Sequence, residues 1–155
     1  MKTFFGALLQ VVIVLIGIAV LALMLWEPHL EGRNAHATLF EIYFKDPFLA
    51  YVYVGSTPFF IALARAFGLF GHFRKTGAFS QQSVDALRAI KRCGLALMGF
   101  VVGGAVIIAL SGEGEPAGAF LSLVALMGSS AIAGVAALAA RNLQNSLKRS
   151  EVSRA

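Results

Sequence analysis

Four long apolar segments dominate this sequence. They cover residues 4–26, 47–73, 94–110 and 117–140. Each is close to or above the roughly 18 apolar residues that suggest a membrane-spanning helix. Strands of membrane barrels are only about 10 residues long and alternate in polarity, which these segments do not do. The sequence therefore predicts an all-α integral membrane protein with four transmembrane helices in a single domain over residues 1–155.

The composition agrees with lipid as the solvent of the apolar segments. Hydrophobic residues make up 58% of the chain and charged residues only 14%, whereas soluble domains carry about 25% charged residues. The first apolar segment is also longer than the roughly 7 to 15 residues of a signal-peptide core. We therefore expect the first helix to remain in the protein.

The distribution of basic residues predicts the orientation of the helices. Ten Lys and Arg residues flank the segments on one side of the membrane, but only Arg33 and Lys45 lie on the other. Because Lys and Arg resist translocation, both termini are expected in the cytoplasm of a bacterium, with the protein in the inner membrane and residues 141–155 forming a basic cytoplasmic tail. The ten residues are Lys2, Arg74, Lys75, Arg88, Lys91, Arg92, Arg141, Lys148, Arg149 and Arg154.

These basic residues also bear on the binding partners of the protein. The net charge is +5, but the charges lie at the ends of the apolar segments rather than on one face of a soluble domain. They therefore indicate membrane topology and contact with lipid headgroups, and no direct nucleic acid binding is expected.

The stretch before the third segment predicts an amphipathic cytoplasmic helix that leads into this short span. Ser80 is placed to cap it, and Val84, Leu87 and Ile90 recur at a spacing of three residues. This helix either packs on the membrane surface or docks a protein. The candidate partner surface consists of Val84, Leu87, Arg88, Lys91 and Arg92.

Polar residues inside the second segment form a candidate intramembrane site made of Ser56, Thr57, Pro58 and Arg65. Pro58 removes one backbone hydrogen bond and predicts either a simple kink or a small polar site beside it. The charge of Arg65 either reaches the headgroups along its long side chain or contacts a ligand or partner.

Other polar groups offer less specific signals. Gln10 in the first segment is expected to bond to a neighbouring helix. Cys93 is the single cysteine, which excludes an internal disulfide and a cysteine-cluster metal site.

The loop over residues 27–46 is either a solvated acidic loop or a metal- or proton-binding site, without diagnostic ligand spacing. Its candidate ligands are Glu27, His29, Glu31, His36 and Glu41.

Small residues in the last two segments indicate close helix packing. Gly99 and Gly103 form a G-x-x-x-G motif, and similar rows include Ser130 with Gly134 and Ala133 with Ala137. Such rows bring helices together either within one chain or between copies, so a homo-oligomer is one interpretation.

The order of several short motifs resembles a known family. The segment Thr57–Leu63, the residues Gly77–Ser80 and the helix Val84–Arg92 are similar to the bacterial membrane-protein family labelled domain of unknown function 2975. The resemblance covers almost the whole chain and implies a partnership with a small helix-turn-helix regulator, but no catalytic or binding residues. The basic ending over residues 144–155 departs from the acidic ending of that family.

The first functional hypothesis is therefore a non-enzymatic interaction, sensor or regulatory subunit of the membrane. Its partners would be lipids, a helix-turn-helix regulator or another membrane protein. The alternative is a small oligomeric transporter or pore that uses the kink at Pro58. We expect no enzyme, cofactor, metal or catalytic residue, because no nucleophile–base pair or phosphate loop is recognisable. His72 and Cys93 are the nearest approach to a reactive pair.

Overall fold

A computed structural model describes residues 2–26, 40, 47–111 and 116–153. These residues form helices α1 (Lys2–Trp26), α2 (Pro47–Thr76), α3 (Gln81–Ser111) and α4 (Pro116–Val152), and this part of the chain contains no strand. All four helices are long and apolar enough to cross a membrane. The prediction of an all-α membrane fold with four spans is therefore confirmed.

Each helix is antiparallel to the next one and packs mainly against it. The start of α1 meets the end of α2, where a β-carbon added to Gly6 would lie 3.2 Å from the Arg74 Cβ. At the opposite end of this pair, the Tyr53 hydroxyl donates to the Met24 carbonyl at 2.8 Å. The starts of α1 and α3 and the ends of α2 and α4 therefore lie at one end of the molecule, which we call the basic end.

The protein core is small and made mostly of short side chains. Ala62, Ile90 and Ala136 form a buried cluster where α2, α3 and α4 meet, and Cys93 packs against it. By contrast, α1 exposes large apolar side chains along its length, Leu23 among them. Lipid tails cover such surfaces in a membrane, so the helices associate by close packing and hydrogen bonds rather than by hydrophobic burial.

The turn between α2 and α3 is fixed by local contacts. The Gly77 amide donates to the Phe73 carbonyl at 2.8 Å, and Gly77 has a φ of 68°, which glycine adopts without a steric penalty. Ser80 occupies the expected cap position, and its amide donates to the Ser83 hydroxyl at 3.2 Å. The helix that starts here continues without interruption to Ser111, so the short third span is extended by its polar beginning.

Residues 141–152 continue α4 as a helix and do not form a separate tail. They run beside the start of α3, where the Arg88 Nη2 donates to the Gln144 Oε1 at 2.8 Å. We call residues 81–92 of α3 and 141–152 of α4 the basic helix pair.

Candidate functional site

A cavity of about 370 Å³ lies between α2 and α3 at the basic end. Residues Ala64 to His72 of α2 line one wall, and the first turns of α3 line the other, from Gln82 to Ala89. We call it the interhelical cavity. Its polar lining residues are Arg65, His72, Gln82, Ser83 and Asp85.

Two opposite charges face the interhelical cavity without pairing with each other. Arg65 is exposed and forms no hydrogen bond or ion pair with any residue that the structure describes. The Asp85 carboxylate instead pairs through Oδ1 with the Arg88 guanidinium at 3.4 Å. A cation inside an apolar span needs a partner. The cavity can therefore receive a group that pairs with the Arg65 guanidinium.

His72 forms the outer part of the cavity wall and is held in place from two sides. Its Nε2 atom lies 3.1 Å from the Ser80 hydroxyl, and its backbone carbonyl accepts a hydrogen bond from Thr76 at 2.9 Å. The Phe73 and Phe79 rings stack beside it with centroids 4.6 Å apart. These contacts hold the end of α2 against the start of α3 and keep the mouth of the cavity in shape.

The residues of the predicted intramembrane site lie at two levels of α2. α2 continues as a helix through Pro58, and the Ser56 hydroxyl donates to the Tyr53 carbonyl within the same helix at 2.7 Å. Arg65 follows Pro58 by seven residues, about 10 Å along the helix axis. Arg65 therefore belongs to the interhelical cavity, apart from Ser56, Thr57 and Pro58.

The predicted partner surface needs a correction on its apolar side. Val84 is fully buried and Ile90 is 9% exposed, so this face points into the protein and not to a partner or the membrane surface. α4 continues as a helix to Val152, and its Gln144 side chain bonds to Arg88, one turn beyond Val84. Leu87 is half-buried, while the charged members Arg88, Lys91 and Arg92 remain exposed.

A second groove, between α1 and α2, is lined by apolar side chains and Gly17 and has a volume of about 330 Å³. Ala64 lines both this groove and the interhelical cavity. Beyond the groove, the Gln10 amide donates to the Phe67 carbonyl at 3.2 Å, which confirms that Gln10 bonds to a neighbouring helix.

The small residues of α3 and α4 have different surroundings. Gly94 packs against Ala133, and Gly103 against the Tyr51 hydroxyl. Gly99 and Gly134 have no neighbouring atom within 4 Å of an added β-carbon. Gly103 and Ala133 therefore serve packing within the chain, whereas Gly99 and Gly134 do not.

The remaining candidate groups do not assemble into a reactive centre in the described part of the chain. Cys93 packs against the core cluster, while His72 contacts Ser80, so these two residues do not form a pair. No group of three or more His, Cys, Asp or Glu side chains suited to a metal occurs among the described residues. The loop ligands predicted from Glu27 to Glu41 lie outside them.

The motif order that suggested a family is matched by comparison with known proteins. A family model described as a protein of unknown function (DUF2975) matches residues 33–151. The chain belongs to the DUF2975 family. It is also 33% identical over 142 residues to the uncharacterized membrane protein YoaS of Bacillus subtilis (strain 168), covering 90% of this chain and 89% of that protein. No solved structure matches. Membership in the DUF2975 family names no activity, so the function has to be argued from the geometry.

Proposed function

We propose that this DUF2975 protein is a non-enzymatic regulatory or interaction subunit of the bacterial inner membrane. Both termini lie in the cytoplasm, and the basic helix pair binds an acidic surface of a cytoplasmic partner. The observation that carries this proposal is the packing of the polar ends of α3 and α4 against each other at the basic end.

This packing gives the proposed binding surface a defined shape. Val84 is fully buried, and the Arg88 guanidinium bonds to Gln144 across the two helices at 2.8 Å. Two helices that pack together present their charges at constant spacing, whereas a flexible tail would have to be ordered on binding. A regulator with a folded acidic face is therefore the partner that fits this surface.

The charge of the basic helix pair supports the same class of partner. Its exposed charged side chains are six cations and the two carboxylates Asp85 and Glu151, and complementary charge speeds association and favours the right partner. The exposed cations are Arg88, Lys91, Arg92, Arg141, Lys148 and Arg149. Arg88 holds α3 against α4, so the other five are the ones available to a partner.

The alternative of an oligomeric transporter through Pro58 has less support. The Ser56 hydroxyl is engaged within its own helix, and Arg65 belongs to a different site. The apolar segments also have no Asp, Glu or His away from their ends, and proton-coupled transport usually relies on such a residue.

Two charge-matched variants test the proposed surface. Lys91→Gln with Arg92→Gln removes two exposed cations from the basic helix pair, while Arg33→Gln with Lys45→Gln removes the two basic residues on the opposite side. Both leave Lys and Arg in excess at the basic end, so the orientation should stay unchanged. The protein is purified from its own host in mild detergent, and the copurified proteins are quantified by mass spectrometry.

We expect an acidic cytoplasmic protein to copurify with the parent and with the Arg33/Lys45 variant. Its recovery should fall about tenfold with the Lys91/Arg92 variant, the effect of losing roughly 1.4 kcal/mol of charge-assisted contacts. The same recovery from both variants would contradict the proposed partner surface.

A further inference from the structure

The interhelical cavity has no role in the proposed partner binding. We propose that it binds the headgroup of a zwitterionic phospholipid that carries a phosphate and a protonated primary amine, as phosphatidylethanolamine does. The phosphate lies at Arg65 and the amine at Asp85.

The two charged groups of the cavity match those of this headgroup. Arg65 has no partner among the described residues, and a guanidinium binds phosphate oxygens through two parallel hydrogen bonds. Asp85 uses Oδ1 for Arg88, so its Oδ2 is available to accept a hydrogen bond from an ammonium group. A cation and an anion that line one cavity without pairing favour a dipolar ligand over a simple anion.

The order of these charges along the helices agrees with the order in a phospholipid. His72 lies beside Ser80 and Tyr51 beside Phe100, which places Arg65 near the level of Leu87. Asp85 therefore lies about two residues, or about 3 Å, nearer to the basic end. In a bilayer, the amine of the headgroup likewise lies farther from the hydrocarbon than the phosphate does.

The size and outer wall of the cavity suit a small polar group. Its volume of about 370 Å³ is at the lower end of the range for small-molecule sites. The Gln82 amide and the His72 ring line it, and the Ser80 contact holds this ring in place.

The adjoining groove between α1 and α2 favours a lipid over a soluble zwitterion. It is lined by apolar residues that include Ile13, Phe60, Leu63 and Phe67, and it meets the interhelical cavity at Ala64. A polar cavity beside an apolar groove provides separate places for a headgroup and an acyl chain. The surrounding membrane supplies such a molecule at high local concentration.

Native mass spectrometry of the delipidated full-length protein tests this site. The protein is titrated with phosphatidylethanolamine, phosphatidylglycerol and phosphatidylcholine that carry the same acyl chains. We expect the ethanolamine lipid to bind about tenfold tighter than either of the others. Phosphatidylglycerol lacks the cation for Asp85, and the quaternary amine of phosphatidylcholine has no N–H to donate. Equal binding of all three lipids would refute the proposal.

Substitutions at Arg65 test the phosphate contact. Arg65→Gln should weaken binding of phosphatidylethanolamine about tenfold, while Arg65→Lys should keep most of it because the charge remains. Arg74→Gln is the matched control, since Arg74 is exposed at the same end but does not line the cavity. Unchanged binding to the Arg65→Gln variant would contradict the assigned phosphate position.

Asp85→Asn separates a specific contact from a general loss of structure. It removes the partner of the amine and the repulsion of anionic lipid, so the preference should change towards phosphatidylglycerol. Retention of the ethanolamine preference would contradict the role of Asp85.

Free phosphoethanolamine should displace the lipid only at concentrations far above that of the lipid. Displacement at equal concentration would show that the acyl chains contribute nothing and would overturn the assignment to a lipid.

Discussion

The Tyr51 hydroxyl of α2 donates a hydrogen bond to the Phe100 carbonyl of α3 at a distance of 2.8 Å. Their rings are also in contact, with centroids 5.5 Å apart. This arrangement requires the two helices to approach closely, and α3 has Gly103 and Gly104 on the surface that Tyr51 covers. Gly103 and Gly104 therefore serve an aromatic contact within the chain.

We predict that Gly103→Leu destabilises the protein by about 1 to 3 kcal/mol, the usual cost of overpacking. A β-carbon at Gly103 would lie 2.5 Å from the Tyr51 hydroxyl oxygen, so Tyr51 would have to move and lose its hydrogen bond to Phe100. Thermal unfolding in detergent can be followed by the reaction of Cys93 with a thiol-specific dye, since Cys93 packs against the core cluster. Gly99→Leu is the control, because an added β-carbon there meets no atom within 4 Å. Equal losses from both variants would contradict this account.

A larger loss is expected from Gly94→Val, where α3 meets α4. A β-carbon at Gly94 would lie 2.9 Å from the Ala133 Cβ and 3.1 Å from the Ala133 backbone nitrogen. A rotamer change cannot relieve contact with backbone, so α3 and α4 would have to separate. The same dye assay should give a lower unfolding temperature than for Gly103→Leu. Gly134→Val has open space around it and should behave like the parent.

The Gln10 side chain should contribute to the attachment of α1. It is 8% exposed and donates to the Phe67 carbonyl at 3.2 Å, and this bond links two apolar helix faces. Gln10→Leu keeps a similar volume but removes the donor, and hydrogen bonds between membrane helices contribute about 0.6 to 1.7 kcal/mol. We expect a loss within this range by the same assay. Val11→Leu, at an exposed position, should have no effect.

The spans and one helix contact could be predicted from the sequence because they depend on local composition. Four apolar segments of sufficient length imply four helices, since only a helix satisfies its own backbone in lipid. The contact of Gln10 could be predicted for a similar reason. A polar amide in an apolar span needs a hydrogen-bond partner, and the nearest partner is on another helix.

The surroundings of Val84 and Arg65 could not be predicted, because they depend on how far neighbouring helices extend. The spacing of Val84, Leu87 and Ile90 correctly marks an apolar face, but the sequence does not say that α4 continues far enough to cover it. Likewise, Arg65 and Asp85 line the same cavity only because the turn at Gly77 aligns α2 with the start of α3. The grouping of Arg65 with Pro58 relied on closeness in the sequence, whereas the two residues lie about 10 Å apart along the axis of α2.

The ten-to-two distribution of Lys and Arg predicts the orientation of the helices, and this prediction can be tested with reporter fusions. Alkaline phosphatase is active only outside the cytoplasm, whereas green fluorescent protein folds poorly when it is exported from the cytoplasm. Fusions after residue 112 and within residues 30–40 should give phosphatase activity, and fusions near residue 78 and at the C-terminus should give fluorescence. Each fusion site is tested with both reporters, so a poorly expressed protein gives neither signal and is recognised. Phosphatase activity from the C-terminal fusion would contradict both the cytoplasmic position of the basic helix pair and its binding of a cytoplasmic partner. It would not bear on the lipid site at Arg65, which the lipid titrations test separately.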